Sequence, residues 1–197
     1  MGERVTIGDL LLTEYQALKE EQRARIGFRD NLLYAMLAAI AAVVAAVLQA
    51  KGRPELLLLL PPVSVLLGWT YLANDEKISA AGRYVREELA PRLASLANAS
   101  PASVSPSPDR EEPRVFGWEI AHRADARRRS RKLLQLAVDL LAFCAIPLAA
   151  LVVFWVAGDA GVVLVAVSVL ELLAVAALGG QIVRYSDLTA SRGPDRG

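Results

Sequence analysis

Gly68-Trp-Thr-Tyr-Leu-Ala-Asn-Asp-Glu-Lys-Ile-Ser-Ala-Ala-Gly-Arg-Tyr-Val-Arg-Glu-Glu-Leu89 decides how this chain is read. Ahead of it lies a long apolar run; within it, over about seven residues, the chain becomes a charged helix with one apolar face. Such a change marks the point where a membrane-spanning helix leaves the bilayer and continues as a water-facing helix. Trp69 and Tyr71 sit at that point, as aromatic side chains do where hydrocarbon meets water.

Outward from this stretch, the composition supports the same reading. Of the 197 residues, 54% are hydrophobic, yet 22% are charged. A soluble domain would intersperse the two classes at period 2 or 3.6. Here the apolar residues fall into four nearly uncharged blocks with the charge packed between them, the pattern of a multi-pass membrane protein. The fold expected is all-α: an integral membrane protein of four transmembrane helices, arranged as two helical hairpins with a cytoplasmic two-helix stalk.

The blocks give spans of about 31–49, 55–72, 133–156 and 162–183. Roughly nineteen residues at about 1.5 Å each cover about 28 Å, close to the hydrocarbon thickness. Ala38, Ala42 and Ala46 form a row of small residues that would let a second helix approach closely. Lys51-Gly-Arg-Pro54 reads as a short turn, and Pro61 and Pro62 predict a kink in the second span. The first hairpin with its helical arms occupies 1–96, and the second hairpin with a short tail occupies 114–197. Residues 97–113, with four prolines and four serines, read as a disordered linker.

Both arms of the first hairpin carry helical stripes. Leu11, Tyr15, Leu18, Gln22 and Ile26 repeat every three or four residues before the first span, and Thr6 followed by Asp9 marks a helix start. Ile78, Ala81, Val85, Leu89, Leu93 and Leu96 repeat after the second span, where Pro91 is placed to bend or end the arm. Counted in residues from the membrane, Arg29 and Arg25 lie two and six below, while Asp75 and Glu76 lie three and four below. Glu21 and Glu20 lie ten and eleven below, level with Arg83. Opposite charges at matching heights predict that the arms pack together as a stalk, although Lys19 and Arg86 also share a height.

Lys and Arg counts set the expected topology. The N-terminal segment holds five, the first turn two, the central segment twelve, the second turn none and the tail three. With both termini in the cytoplasm, twenty basic residues face inward against two outward. The expected location is the cytoplasmic membrane. No secretory signal is expected, because the first thirty residues lack a short apolar core followed by a cleavage site. Asn98-Ala-Ser100 matches a glycosylation pattern, but on this topology it lies inside.

Few residues carry chemistry. Glu171 lies near the middle of the fourth span, where a carboxylate must face the bundle, a polar partner or water, or stay protonated. It reads either as part of a proton or cation pathway or as a neutral acid that fixes packing. Asp139 lies nearer the cytoplasm and can reach Gln135 one turn back; at roughly 9 Å from Glu171 in depth it is no catalytic partner. The basic run Arg127, Arg128, Arg129, Arg131 and Lys132 abuts the third span, able to attract anionic lipid or to hold the span's start inside. Cys144 is the single cysteine and His122 the single histidine. With no phosphate loop, HExxH or CxxC, no motif argues for an enzyme, a cofactor or a metal. A net charge of +1 gives no reason to expect nucleic acid as a partner.

Three stretches, taken together, resemble a group of uncharacterised integral membrane proteins from actinobacteria. They are Thr13-Glu-Tyr-Gln-Ala-Leu-Lys-Glu-Glu-Gln-Arg-Ala-Arg-Ile-Gly-Phe-Arg-Asp-Asn-Leu-Leu-Tyr34, the segment Gly68–Leu89, and Phe116-Gly-Trp-Glu-Ile-Ala-His-Arg123. An excess of Arg over Lys, 18 to 4, fits a GC-rich bacterial genome. The resemblance implies a class and no mechanism. In its plan, a long cytoplasmic helix entering a transmembrane hairpin, the chain is also similar to SLATT proteins, small membrane effectors of bacterial conflict systems. The functions expected are a non-enzymatic membrane scaffold or interaction protein, or a homo-oligomeric pore or defence effector gated by the stalk. The expected partners are the bilayer, a further copy of the chain, and a cytoplasmic protein bound through the stalk.

Overall fold

The computed structural model describes residues 5–99, 128–157 and 161–188. Among these residues every regular element is helical and there is no strand. Helix α1 spans Ile7–Gln49 and begins as the sequence anticipates. Asp9 accepts a hydrogen bond from the Thr6 backbone N–H at 2.9 Å, and the Thr6 hydroxyl accepts one from the Asp9 N–H at 3.2 Å. This reciprocal box satisfies donors that a helix start leaves open. The helix runs for 43 residues to Gln49 and is followed by Lys51 and Gly52, both with positive φ (57° and 78°). The Gly52 N–H reaches back to the Val47 carbonyl at 2.9 Å, closing the helix end.

A 3₁₀ turn at Pro54–Leu59 leads into α2, Leu60–Tyr84. Pro61 and Pro62 therefore fall in the first turn of α2, where a missing N–H is tolerated. A change of helix type, from 3₁₀ to α, falls just ahead of these prolines within the expected second span. A π-helical turn, Val85–Leu89, then joins α2 to α3, Ala90–Ala99. Pro91 consequently neither ends nor interrupts the arm. A proline ring strikes the carbonyl four residues behind it, and a widened turn at that place moves the carbonyl aside.

The same device recurs later in the chain. Helix α4 (Arg128–Leu140) passes through a π turn at Leu141–Ala145 into α5 (Ile146–Ala157), with Pro147 at its start. Helix α6 covers Val162–Leu188. Four helical stretches are long and apolar enough to cross a membrane: Ile7–Gln49, Pro54–Leu96, Leu133–Ala157 and Val162–Ser186. All four expected spans fall within them. The expected linker lies outside the described residues from position 100 onward, as does the expected helical start at 116–127.

The chain forms two compact units, and α1 and α2 each contribute to both. One unit takes the described residues of Met1–Gly27 and Asn74–Arg128; it pairs the first part of α1 with the end of α2 and α3. Contacts between Glu14 and Tyr84, Gln22 and Ile78, and Arg25 and Asn74 show that the two run antiparallel. Val85 and Leu89 are fully buried in this unit.

The other unit takes the described residues of Phe28–Ala73 and Arg129–Gly197. Its main core joins Met36, Tyr71, Phe143, Val175 and Leu178, drawn from all four apolar helices. Two smaller clusters, Val43 with Leu60 and Ala150, and Leu58 with Leu151 and Phe154, complete it. Close approach depends on Gly68: a Cβ there would stand 2.6 Å from Leu178 Cδ2 and 3.4 Å from Phe143 Cδ1. The outside of the same helices is also apolar, with Leu66 and Leu170 each 70% exposed and Val156 83% exposed. Water would penalise such a surface heavily, whereas acyl chains do not.

Candidate functional site

Polar side chains inside the four-helix unit are few, so each one that is buried needs a partner. Three helices bring such residues together. Gln135 on α4 donates from Nε2 to the Tyr71 hydroxyl of α2 at 2.7 Å and to Asp139 Oδ1 at 2.9 Å. Asp139 is buried, 8% exposed, and lies one turn beyond Gln135. The Arg29 guanidinium of α1 stands 5.8 Å from the centre of the Tyr71 ring, within cation–π range. The other side of this group is apolar: Tyr71 tilts at 45° against Phe143, with ring centres 5.2 Å apart. A cation, a carboxylate, an amide and a phenol thus form one network across α1, α2 and α4.

The reach of Asp139 to Gln135, four residues apart on one helix, was expected. Tyr71 in the network was not. Sequence position makes it an interface aromatic, like Trp69, but Tyr71 is 4% exposed and Trp69 43% exposed. A phenol one residue from an exposed aromatic looks the same in sequence whichever way it turns.

A second polar contact repairs a proline. In a regular helix the N–H of residue 147 would bond the Phe143 carbonyl, but Pro147 has no N–H. The buried Ser64 hydroxyl of α2 donates to that carbonyl instead. Toward the α5–α6 end, Trp155 Nε1 donates to Ser168 Oγ at 2.8 Å, and Ser168 donates on to the Val165 carbonyl at 2.8 Å. Cys144 is buried, and a Cβ at Gly179 would meet its sulfur at 3.3 Å. It packs as a small apolar group.

Glu171 lies half-buried on α6, and its Oε2 is buried with no hydrogen-bond partner among the described residues.

In the paired-arm unit, the candidate stalk charges distribute as follows. Arg25 donates through Nε to Glu21 on its own helix at 2.9 Å, and through Nη1 to Asn74 Oδ1 at 3.4 Å. Asn74, 6% exposed, donates in return to the Arg25 carbonyl at 2.6 Å. Asp75, next to it, is half-buried, while Glu76, Glu20 and Arg83 are exposed. Arg29, in the four-helix unit, reaches Asp30 at 3.5 Å as well as Tyr71. Gln22, the polar residue that interrupts the apolar stripe of α1, donates to the Ile78 carbonyl at 3.3 Å. The Tyr84 hydroxyl donates to Glu14 at 2.6 Å, and this bond pushes the phenol above its ordinary pKa. Asn74, Gln22 and Tyr84 thus each bridge the two arms, Asn74 through Arg25, a residue the sequence had already singled out together with the interruption at Gln22. Among the basic cluster, Arg128, Arg129, Arg131 and Lys132 belong to the start of α4; Arg127 lies outside the described residues, as does His122.

Helices of this length and apolarity, with polar groups collected inside, define a helical protein equipped to cross a membrane four times. Comparison with protein-family models, curated proteins and solved structures finds no match to the chain.

Proposed function

We propose that the protein is a non-enzymatic, multi-pass membrane scaffold or interaction protein of the bacterial cytoplasmic membrane. Both termini face the cytoplasm, and the paired arms form a cytoplasmic stalk that receives a protein partner or a second copy. One observation carries this reading. The paired arms are held by side-chain bonds along their length, yet they leave large apolar side chains uncovered at the N-terminal end. Val5 and Ile7 are about 70% exposed (71% and 70%), Leu10 60% and Leu12 50%. An ordered helical pair with an uncovered apolar end has the character of a contact surface. The excess of inward basic residues supports the orientation.

The test is crosslinking in intact membranes followed by purification of the full chain. A scaffold yields a defined crosslinked species that Leu10→Glu with Leu12→Glu abolishes, with no ion leakage on overexpression. Crosslinking unaffected by those substitutions would sink the reading.

A homo-oligomeric pore or defence effector gated by the stalk is the second reading, favoured by the buried oxygen of Glu171 in the four-helix unit, which has no hydrogen-bond partner among the described residues. It requires ion leakage from vesicles holding the purified protein, lost in Glu171→Gln. A tight vesicle with wild-type protein removes it.

A further inference from the structure

We infer that Glu171 is a proton-binding site in the membrane interior, held there as the neutral acid. Leu164, Ser168, Glu171, Val175 and Leu178 follow one another at three- and four-residue spacing along α6, and all are buried or half-buried. Val167, Leu170 and Leu173 beside them are exposed apolar groups. Glu171 therefore stands on the packed stripe of its helix, about 13 Å along from Val162 at 1.5 Å per residue.

What surrounds its carboxyl decides its charge. Oε2 is shut off from solvent and has no hydrogen-bond partner among the described residues. The nearest polar side chain on the stripe is Ser168, one turn away. Its hydroxyl accepts from Trp155 and donates to the Val165 carbonyl, so its own proton is committed elsewhere. No Lys or Arg occurs within 31–49, 55–72, 133–156 or 162–183, so the spans carry no fixed cation to this depth. An ionised carboxylate needs a counter-charge or several donors; among the described residues Oε2 has no donor, and the spans hold no Lys or Arg. A neutral carboxyl needs far less. The ligand that satisfies the site is a proton.

The inference holds for a scaffold or a pore alike and rests only on the membrane reading of the four helices. The test is covalent labelling of the full chain in native membranes with dicyclohexylcarbodiimide, a lipid-soluble reagent that reacts with carboxylic acids in their protonated form. The acid's proton passes to one carbodiimide nitrogen as the carboxyl oxygen bonds the central carbon. The resulting O-acylisourea rearranges to a stable N-acylurea, so the whole reagent is added and nothing leaves. At about pH 8 solvated carboxylates, with pKa near 4, are ionised and unreactive. Peptide mass spectrometry is expected to find the adduct on Glu171 in the wild type and no adduct at this position in Glu171→Gln. Both proteins should stay in carbonate-washed membranes. Retained protein without the adduct overturns the inference, as does an adduct suppressed by added sodium or potassium ions at constant pH, which would mark a cation site. Release of the wild type by carbonate overturns the membrane reading itself.

Discussion

Ser64 and Phe143 show how a single hydroxyl can serve a span that contains a proline. Pro147 removes the donor that the Phe143 carbonyl would otherwise have, and Ser64 supplies one from α2. Ser64→Ala should cost about 1–3 kcal/mol, the usual penalty for a buried acceptor left unmade. In a Pro147→Ala background the restored N–H takes over the carbonyl, so the same change should cost less. Thermal midpoints of the four proteins in detergent measure the coupling. Equal losses in both backgrounds would show that the hydroxyl is not repairing the proline. Gly68 makes the complementary case for packing. A methyl group there enters the space of Leu178, which is fully buried beside Phe143. Gly68→Ala should destabilise by about 1–3 kcal/mol, as overpacking does, and Leu178→Ala in the same chain should recover part of it. An unchanged melting temperature in Gly68→Ala would refute the close approach.

The arms are a matter of elements rather than single contacts. Charges at matching heights suggested ion pairs between them, and the bridging bonds described are of another kind. Arg25 and Glu21 pair along one helix, while Asn74, Gln22 and Tyr84 cross to the other. Side chains four residues apart on a helix already face each other, whereas an exposed pair between helices is worth only about 0.2–1 kcal/mol. Asn74 is buried and bonds in both directions with Arg25, so Asn74→Ala should loosen the pair most. Hydrogen exchange of amides near Arg25 is expected to quicken by about tenfold, given a loss near 1.4 kcal/mol. Exchange at the wild-type rate would remove Asn74 from its bridging role.

Tyr84 adds a pH dependence to the same element. Its hydroxyl gives a proton to the hydrogen bond with Glu14, so folding raises its pKa above the ordinary phenol value of 10.0. A raised value means that the bond contributes fully below pH 10.0 and is lost as pH rises through the folded value. A tyrosinate absorbance titration should show one phenol ionising at lower pH in Glu14→Gln than in the wild type. Superimposable titration curves would count against the bond. At the other end of the pH scale, the Thr6 hydroxyl and backbone N–H hold Asp9 below its usual pKa. That contribution is present above the ordinary carboxylate value and is lost as pH falls through the lowered one.

For the whole molecule, orientation is the expectation with the widest consequences. A reporter active only outside the cell should stay silent when fused to the C-terminus and become active when inserted after Gly52, in the first turn. The reverse pattern would put the paired arms, and any partner they bind, on the opposite side.

Much of this architecture could be read from local pattern. Four apolar blocks became four helices able to span a bilayer, because backbone groups in hydrocarbon must bond within their own segment. The helix start at Thr6 and Asp9, the turn at Lys51 and Gly52, and the Gln135–Asp139 pair were legible for the same reason, since each involves residues at most four or five apart. What each side chain meets on another helix was not legible. Tyr71 meets Gln135 from 64 positions away, Ser64 meets Phe143 from 79, and Asn74 meets Arg25 from 49. Apolar spans give no register signal in sequence, since lipid and a neighbouring helix accept the same residues. Sequence alone determined which segments are helical and apolar enough to enter a membrane. Only tertiary packing decided which polar groups are paired, and that Glu171 has a buried oxygen with no partner among the described residues.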